Sequence, residues 1–363
     1  MNTTKVNWYP AHPSCKSVSM LKYWRLLEEQ LSNSDKYDCE SVIKMPQEEW
    51  ATRRSKIKVG ISRHIAYPLV SMAAREAKIA HVLDHSWADL VNHMPDNMLK
   101  VVTVHDLIPL AYPGDLRVTQ RKRFAKIVSN LTKADLLICV SHYTAREVQS
   151  LLGISADKIV VVPNGVNAPP DKIKHTRVRE IVNGHQSELI VGCLGNTLER
   201  KNIGILPQAL KIAAKDLGAS VTMVRAGALC GSDLHKRFVD SIGSDYFVEL
   251  GPLNNDELED FYANVDVIVV PSLYEGFGLP VLEAMARGVP VISSDTSSLP
   301  EVAGEAALFF DPHKPQDLAA RLVQIKNHET AKQMVTKGLE RASDFSWRTT
   351  LEGIFRAYDS LLL

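Results

Sequence analysis

The sequence predicts an α/β protein made of two doubly wound, Rossmann-like domains. Three observations carry this expectation. Short apolar, β-branched runs alternate with helix-length amphipathic segments along most of the chain, the pattern of βαβ units around buried parallel sheets. There are nine clear runs, more than one sheet usually holds, so they divide between two. The length of 363 residues is that of about two domains.

In chain order, the first domain contributes 79–83 (IAHVL), 100–104 (KVVTV), 136–140 (LLICV) and 158–162 (KIVVV) as strands. The second contributes 188–194 (ELIVGCL), 220–225 (SVTMVR), 246–250 (YFVEL), 266–270 (DVIVV) and 289–293 (VPVIS). Amphipathic stretches at 144–153 and 202–217 read as helices between them. The segment 169–187 opens with Pro-Pro, contains Asn-Gly and is polar, so it is the expected linker between a domain at 1–168 and one at 188–345. The final stretch, 346–363, has apolar residues at 347, 351, 354, 355, 358 and 361, with Ser346 placed as N-cap. It predicts an amphipathic helix that packs back on the first domain.

Composition narrows the classes of function. Lys and Arg number 42, as do Asp and Glu, so the chain lacks the basic footprint of a dedicated nucleic-acid binder. No stretch approaches the ~18 apolar residues of a membrane span, and the first residues lack a signal peptide's apolar core. Five cysteines, at 15, 39, 139, 193 and 230, are scattered without a CxxC pair, which fits a reducing, cytoplasmic compartment. The charge is nevertheless uneven. Residues 1–170 carry 22 basic and 16 acidic residues, and residues 171–363 carry 20 and 26. The excess of the first part is concentrated in Arg53, Arg54, Lys56, Lys58 and Arg63, and in Arg117, Arg121, Lys122, Arg123 and Lys126. Such clusters fit an ordinary solvated face, or a patch that meets anionic lipid at a membrane's inner face or a phosphorylated acceptor.

The run Pro271–Gly288 (PSLYEGFGLPVLEAMARG) follows the buried strand 266–270 and turns into a helix. Pro280 suits the first helical position and Gly288 the position just past its end. In open parallel sheets, ligands bind where a strand's carboxyl end meets the next helix. Gly276 and Gly278 let a ligand approach the backbone, and Glu275 and Glu283 flank the turn with carboxylates suited to sugar hydroxyls. Taken alone, the same run also fits a tight turn with surface glutamates. A second run, Gly192–Asn202 (GCLGNTLERKN), follows the first strand of the second domain. It places Arg200 and Lys201 at a βα junction, where they could pair with a diphosphate or simply be solvated. It is neither a Walker loop nor a GxGxxG fingerprint. In the first domain, His105 and Asp84-His85-Ser86 end neighbouring strands, and Ser141 reads as a helix cap.

Together these segments resemble glycosyltransferase family 4 and its GT-B fold, two Rossmann-like domains facing across a cleft. The resemblance is strongest over 188–312 and also covers VHDLIPLAYP, CVSHYTAREV and VVPNGV within 100–168. Seven residues separate Glu275 from Glu283, matching the family's Glu-x7-Glu motif, and the run from Glu275 through EGFGLPVLEAMARGVPVISSDTSSLPEVAG is long and specific. The resemblance implies roles position by position. Glu275 would bind hydroxyls of the donor sugar, and Gly276, Phe277, Gly278 and Leu279 would lie along sugar and phosphate. Glu283 would bond the nucleotide ribose. Arg200 and Lys201 would hold the diphosphate as it departs, with Gly195 and Asn196 beside it. Leu253 would line the nucleobase pocket, and His105 would lie near donor sugar and acceptor. The implied activity is retaining hexosyl transfer from a nucleotide-diphosphate sugar to a saccharide or lipid-linked acceptor, without a catalytic metal or further cofactor. The LGN…RKN form is similar to mannosyltransferase-like members and favours GDP-mannose over a UDP-sugar.

Two departures from the family pattern stand out. Residues 1–59 contain no glycine, so the loop after the first strand, Pro10–Lys16, lacks the usual glycines. Asn196 and Thr197 stand where some members have another arginine. The competing readings are a non-catalytic nucleotide-sugar-binding protein and another GT-B enzyme such as a sugar-nucleotide epimerase. A phosphorylase would need a pyridoxal-phosphate lysine, and none is marked.

Overall fold

The computed structural model describes residues 3–12, 18–31, 36–43, 65–73, 77–112, 114, 116–184 and 187–363. Pro13–Lys16 of the first loop, and Arg53, Arg54, Lys56, Lys58 and Arg63, lie outside them. The chain divides into two compact units, Met1–Gly165 with Trp347–Leu363, and Val166–Ser346.

The first unit holds a six-stranded parallel sheet in the order β2-β1-β3-β4-β5-β6. Its strands are β1 (Thr4–Tyr9), β2 (Tyr37–Ser41), β3 (Ile79–Val82), β4 (Leu99–Val104), β5 (Leu136–Cys139) and β6 (Ile159–Val161). β3 to β6 are the expected apolar runs. β1, whose place before Pro10 only the resemblance implied, and β2 show no apolar run, because TKVNWY mixes polar with apolar residues and YDCES is a polar edge strand. The chain direction across the sheet reverses between β1 and β3, which creates a crevice at their carboxyl ends. Helix His142–Leu152 is capped by Ser141, whose hydroxyl accepts the Thr144 N–H at 3.0 Å. Arg117, Arg121, Lys122, Arg123 and Lys126 are exposed on and beside helix Val118–Val128.

The helix Trp347–Leu362 covers one face of this first sheet, burying Trp347, Leu351, Ile354 and Tyr358 with Trp8, Trp24 and Ile138. A buried polar chain fixes it there. Trp8 Nε1 donates to the Tyr358 hydroxyl at 3.0 Å, which also meets His81 Nδ1 at 2.6 Å. His81 Nε2 then meets Thr103 Oγ1 at 2.8 Å. Burial, with His105 nearby, pushes the His81 imidazole down to about 3. Its unfolded value is about 6.5, so acid favours the unfolded chain, which takes up the proton that the folded one refuses. Stability should therefore be full above pH ~6.5 and fall by about 2 kcal/mol by pH ~5. Denaturant midpoints measured across that interval check this, and a His81→Gln variant should lack that part of the decline.

The second unit holds β7 (Leu189–Gly195), β8 (Val221–Gly227), β9 (Phe247–Gly251), β10 (Val267–Val270), β11 (Val291–Ser294) and β12 (Leu308–Phe310). Their order is β12-β11-β10-β7-β8-β9, all parallel, with the reversal between β7 and β10. β12, three residues at the edge, was not legible. The helix expected from Asn202 begins at Leu206, after two short 3-10 turns, and runs to Leu217. Asn202 takes the left-handed φ of 53° between those turns, a conformation asparagine tolerates.

The segment 169–187, expected as a linker, instead lies within the second unit and carries helix Arg177–Asn183. The reason is local. Val178 and Val182 are fully buried, and Asp260, itself buried, accepts the Thr176 N–H and hydroxyl at 2.8 Å each and Arg179 Nε at 3.0 Å. That carboxylate ties the segment to helix Asn255–Ala263.

Candidate active site

The turns that follow β7 and β10 lie side by side because those two strands pair at the reversal of the second sheet. Each turn brings one member of a charge cluster. The 3-10 turn Glu199–Lys201 supplies Arg200 and Lys201, and the loop before helix Leu279–Ala286 supplies Glu275. The Leu273 N–H donates to the Arg200 carbonyl at 2.7 Å, which pins the two turns together through the backbone.

Glu275 is 8% exposed and densely held. Lys201 Nζ donates to its Oε1, Ser272 Oγ donates to the same oxygen at 2.7 Å, and Arg200 Nη1 lies 3.6 Å from Oε2. Burial pushes this carboxyl up, but Lys201, Arg200 and Ser272 outweigh it and hold it below the ordinary carboxylate range. The site thus keeps one carboxylate between two cations, a local excess of positive charge. That excess suits a polyanion such as a diphosphate, and the carboxylate can still accept from hydroxyls.

Two serines hold the backbone here. The Ser297 hydroxyl accepts the Glu275 N–H at 3.0 Å, from a residue in the left-handed region at φ 55°. Ser298 Oγ is within bonding distance of the Glu275 and Phe277 carbonyls, at 2.9 and 2.8 Å. Gly278 has φ 108°, which calls for glycine, and a Cβ there would stand 2.7 Å from Leu299 Cδ2, so the leucine side chain would also have to shift. The helix it opens carries Pro280 in its first turn, and Gly288 follows its end with φ 65°. Glu283 lies one turn inside, where the Tyr262 hydroxyl donates to it at 3.3 Å and Arg287 Nη1 donates to its carbonyl at 2.9 Å. Arg287 in turn is paired with Glu259.

At the ends of β7 and β8, Gly195 pairs with Gly227, whose Cβ, if present, would come within 2.3 Å of the Gly195 carbonyl oxygen. That carbonyl accepts from Arg225 Nη2 at 3.0 Å. Arg225, 1% exposed, also bonds Glu249 at 3.2 Å, and Glu249 accepts the Cys230 N–H at 2.7 Å. Asn196 is exposed, its Oδ1 accepting the Leu198 N–H at 3.2 Å. Leu253 is half-buried in the loop after β9, and Gly276, Phe277 and Gly278 are buried.

The structure therefore brings Arg200, Lys201 and Glu275 into one cluster and sets Gly276–Leu279 and Glu283 just beyond it. His105 belongs to the first unit, in the turn after β4. Sequence reasoning missed Ser272, Ser297, Ser298 and Arg225. An arginine inside an otherwise apolar strand was the one available signal. Loop serines give none.

Two family models match the chain. "Glycosyl transferases group 1" covers residues 174–341 and "Glycosyltransferase Family 4" covers residues 47–168. The chain is 28% identical over 302 residues to the O-antigen chain mannosyltransferase B of Escherichia coli, covering 78% of this chain and 79% of that one. It is 29% identical over 318 residues to the serotype-specific mannosyltransferase WbdA of Escherichia coli, covering 80% of this chain but only 39% of that longer protein. Anabaena HepE, solved in complex with UDP and glucose, shares the fold with a TM-score of 0.73 at 16% identity, over 99% of this chain and 100% of that one. The chain belongs to glycosyltransferase family 4 and has the GT-B fold, with two Rossmann-like domains.

Proposed function

We propose that this glycosyltransferase moves a hexose from a nucleotide-diphosphate sugar, with GDP-mannose favoured, to a saccharide or lipid-linked acceptor in polysaccharide or glycolipid assembly. The observation that carries the proposal is the Arg200–Lys201–Glu275 cluster at the reversal point of the second sheet. Arg200 and Lys201 take the diphosphate and stabilise its charge as the bond to the sugar breaks. Glu275 accepts from donor-sugar hydroxyls, with the backbone of Gly276–Leu279 alongside, and Glu283 accepts from the ribose. Gly195 and Asn196 border the phosphates, Leu253 the base, and His105 the reacting sugars. Transfer retains anomeric configuration by attack on the face the leaving group vacates, and the two cations perform the charge stabilisation that a metal would otherwise supply.

The two E. coli mannosyltransferases support mannose as the sugar. The HepE complex with UDP and glucose keeps UDP-glucose in the test. No helix among the described residues is long and apolar enough to cross a membrane. The exposed cations along Val118–Val128 support peripheral contact with an anionic membrane from the cytoplasmic side.

The test is a thermal-unfolding titration against GDP, UDP, GDP-mannose, UDP-glucose, UDP-N-acetylglucosamine, ADP-glucose and NAD. A ligand of the native state raises the midpoint by mass action. GDP and GDP-mannose should raise it most and NAD not at all. A response to UDP and UDP-sugars alone would replace the donor, and no response to any nucleotide would overturn the proposal.

A further inference from the structure

We propose that Tyr262 is a positioning residue, which aims the Glu283 carboxylate at the ribose of the donor and so makes the site prefer ribonucleotides to deoxyribonucleotides. This rests on the ribose role given to Glu283 above and adds Tyr262 to it, with Glu259 and Arg287 behind it. The helix that carries Tyr262, Asn255–Ala263, opens just after Leu253, and the helix that carries Glu283, Leu279–Ala286, follows the turn holding Glu275. Glu259 and Tyr262 are one turn apart on the first helix, and Glu283 and Arg287 are one turn apart at the end of the second, so each pair shares a face. The two faces bond to each other.

Arg287 Nε and Nη2 donate to the two oxygens of Glu259 at 2.7 and 2.5 Å, a bidentate pair. Its Nη1 donates to the Glu283 backbone carbonyl at 2.9 Å, and its guanidinium carbon lies 5.0 Å from the centre of the Tyr262 ring. The charge of Arg287 is thus matched by Glu259. Tyr262 is 2% exposed, its ring held by Arg287 and by the edge of Phe261 at 5.6 Å. What this brace turns toward the Glu283 carboxylate is a neutral donor, the Tyr262 hydroxyl, 3.3 Å from Oε2.

A neutral donor steers a carboxylate without cancelling its charge, so Glu283 stays a strong acceptor. At 3.3 Å the bond is long for a hydroxyl on a carboxylate. It restricts where the carboxylate points and still leaves it to a ligand. Glutamate has several side-chain torsions, and ordering them when a ligand arrives costs affinity. A tyrosine that is itself buried and braced meets part of that cost beforehand. Ribose presents two adjacent hydroxyls that can both donate to an aimed carboxylate, and a deoxyribose has lost one of them.

The test is calorimetry on the full-length protein with GDP, UDP and the 2′-deoxy and 3′-deoxy forms of each. The wild type should bind a ribonucleotide about tenfold more tightly than at least one of its deoxy forms, the loss expected of one hydrogen bond. Tyr262→Phe keeps the ring against Arg287 and removes only the hydroxyl. It should weaken the ribonucleotide by about three- to tenfold and leave that deoxy form as it was, so the preference shrinks by the same factor. Glu283→Ala should abolish the preference, and adding Tyr262→Phe to it should change nothing further, because the hydroxyl acts through the carboxylate. An unchanged preference in Tyr262→Phe, or an equal loss for ribo and deoxy forms, overturns the role of Tyr262 alone. A wild type without preference, or a preference that survives Glu283→Ala, overturns the ribose reading of Glu283 with it. Failure to bind any nucleotide overturns the transferase reading as well.

Discussion

Replacing Glu275 with Gln is expected to cut sugar transfer by about 10²–10³-fold while nucleoside diphosphate binding is kept or tightened. The substitution keeps the volume and an oxygen for Ser272, so the turn should survive. It removes the charge that Lys201 and Arg200 now neutralise. Freed of that partner, the two cations face a diphosphate with their full charge, whereas the donor sugar loses a charge-assisted hydrogen-bond acceptor. Calorimetry with GDP and UDP beside steady-state transfer separates the two effects. Wild-type turnover in the variant would remove Glu275 from the mechanism. There is also an acid limb. The folded carboxyl titrates below its unfolded value of about 4.3, so the cluster stabilises the fold above that pH. The contribution is lost as pH falls through the folded value, and the Gln variant should not show that loss.

Replacing Lys201 with Ala is expected to weaken nucleoside diphosphate binding by about 10- to 100-fold, the effect of one charge-assisted hydrogen bond to phosphate. It should also destabilise the protein by about 3 kcal/mol, because Glu275 stays buried with only Arg200 and Ser272 to compensate. Burial then gains on the remaining partners and the carboxyl's proton affinity rises. The Lys201→Ala, Glu275→Gln double variant should recover part of the stability but none of the affinity, since the two residues are directly coupled. Unchanged diphosphate affinity in the single variant would show that the anion sits elsewhere.

The parts of the molecule that were legible share one property. They lie where burial or a backbone requirement forces residue type. β10 reads VIVV because both faces are covered, and Gly278 is glycine because its φ of 108° is a conformation that other residues rarely adopt. The edge strands β2 and β12 escaped because their own sequences are weak signals, YDCES being polar and LFF only three residues long. The two halves of the charge cluster were each visible at a βα junction. Their contact was not, since it follows from β10 pairing with β7 rather than with its chain neighbour β9. The linker expectation failed for a related reason. A polar, Pro-rich stretch looks unattached until Asp260, more than eighty residues on, is seen to bind Thr176.

The helix Trp347–Leu362 has a consequence for how the chain comes to be folded. Trp8 and Tyr358, joined by a hydrogen bond, are 350 residues apart in sequence. Residues 166–346 between them form the second unit complete in itself. During synthesis the ribosome therefore delivers everything the second unit needs before it delivers the last piece of the first. The nascent first unit must wait with the sides of Trp8, Trp24 and Ile138 that this helix covers left exposed, and this is when its apolar surface is most open to aggregation.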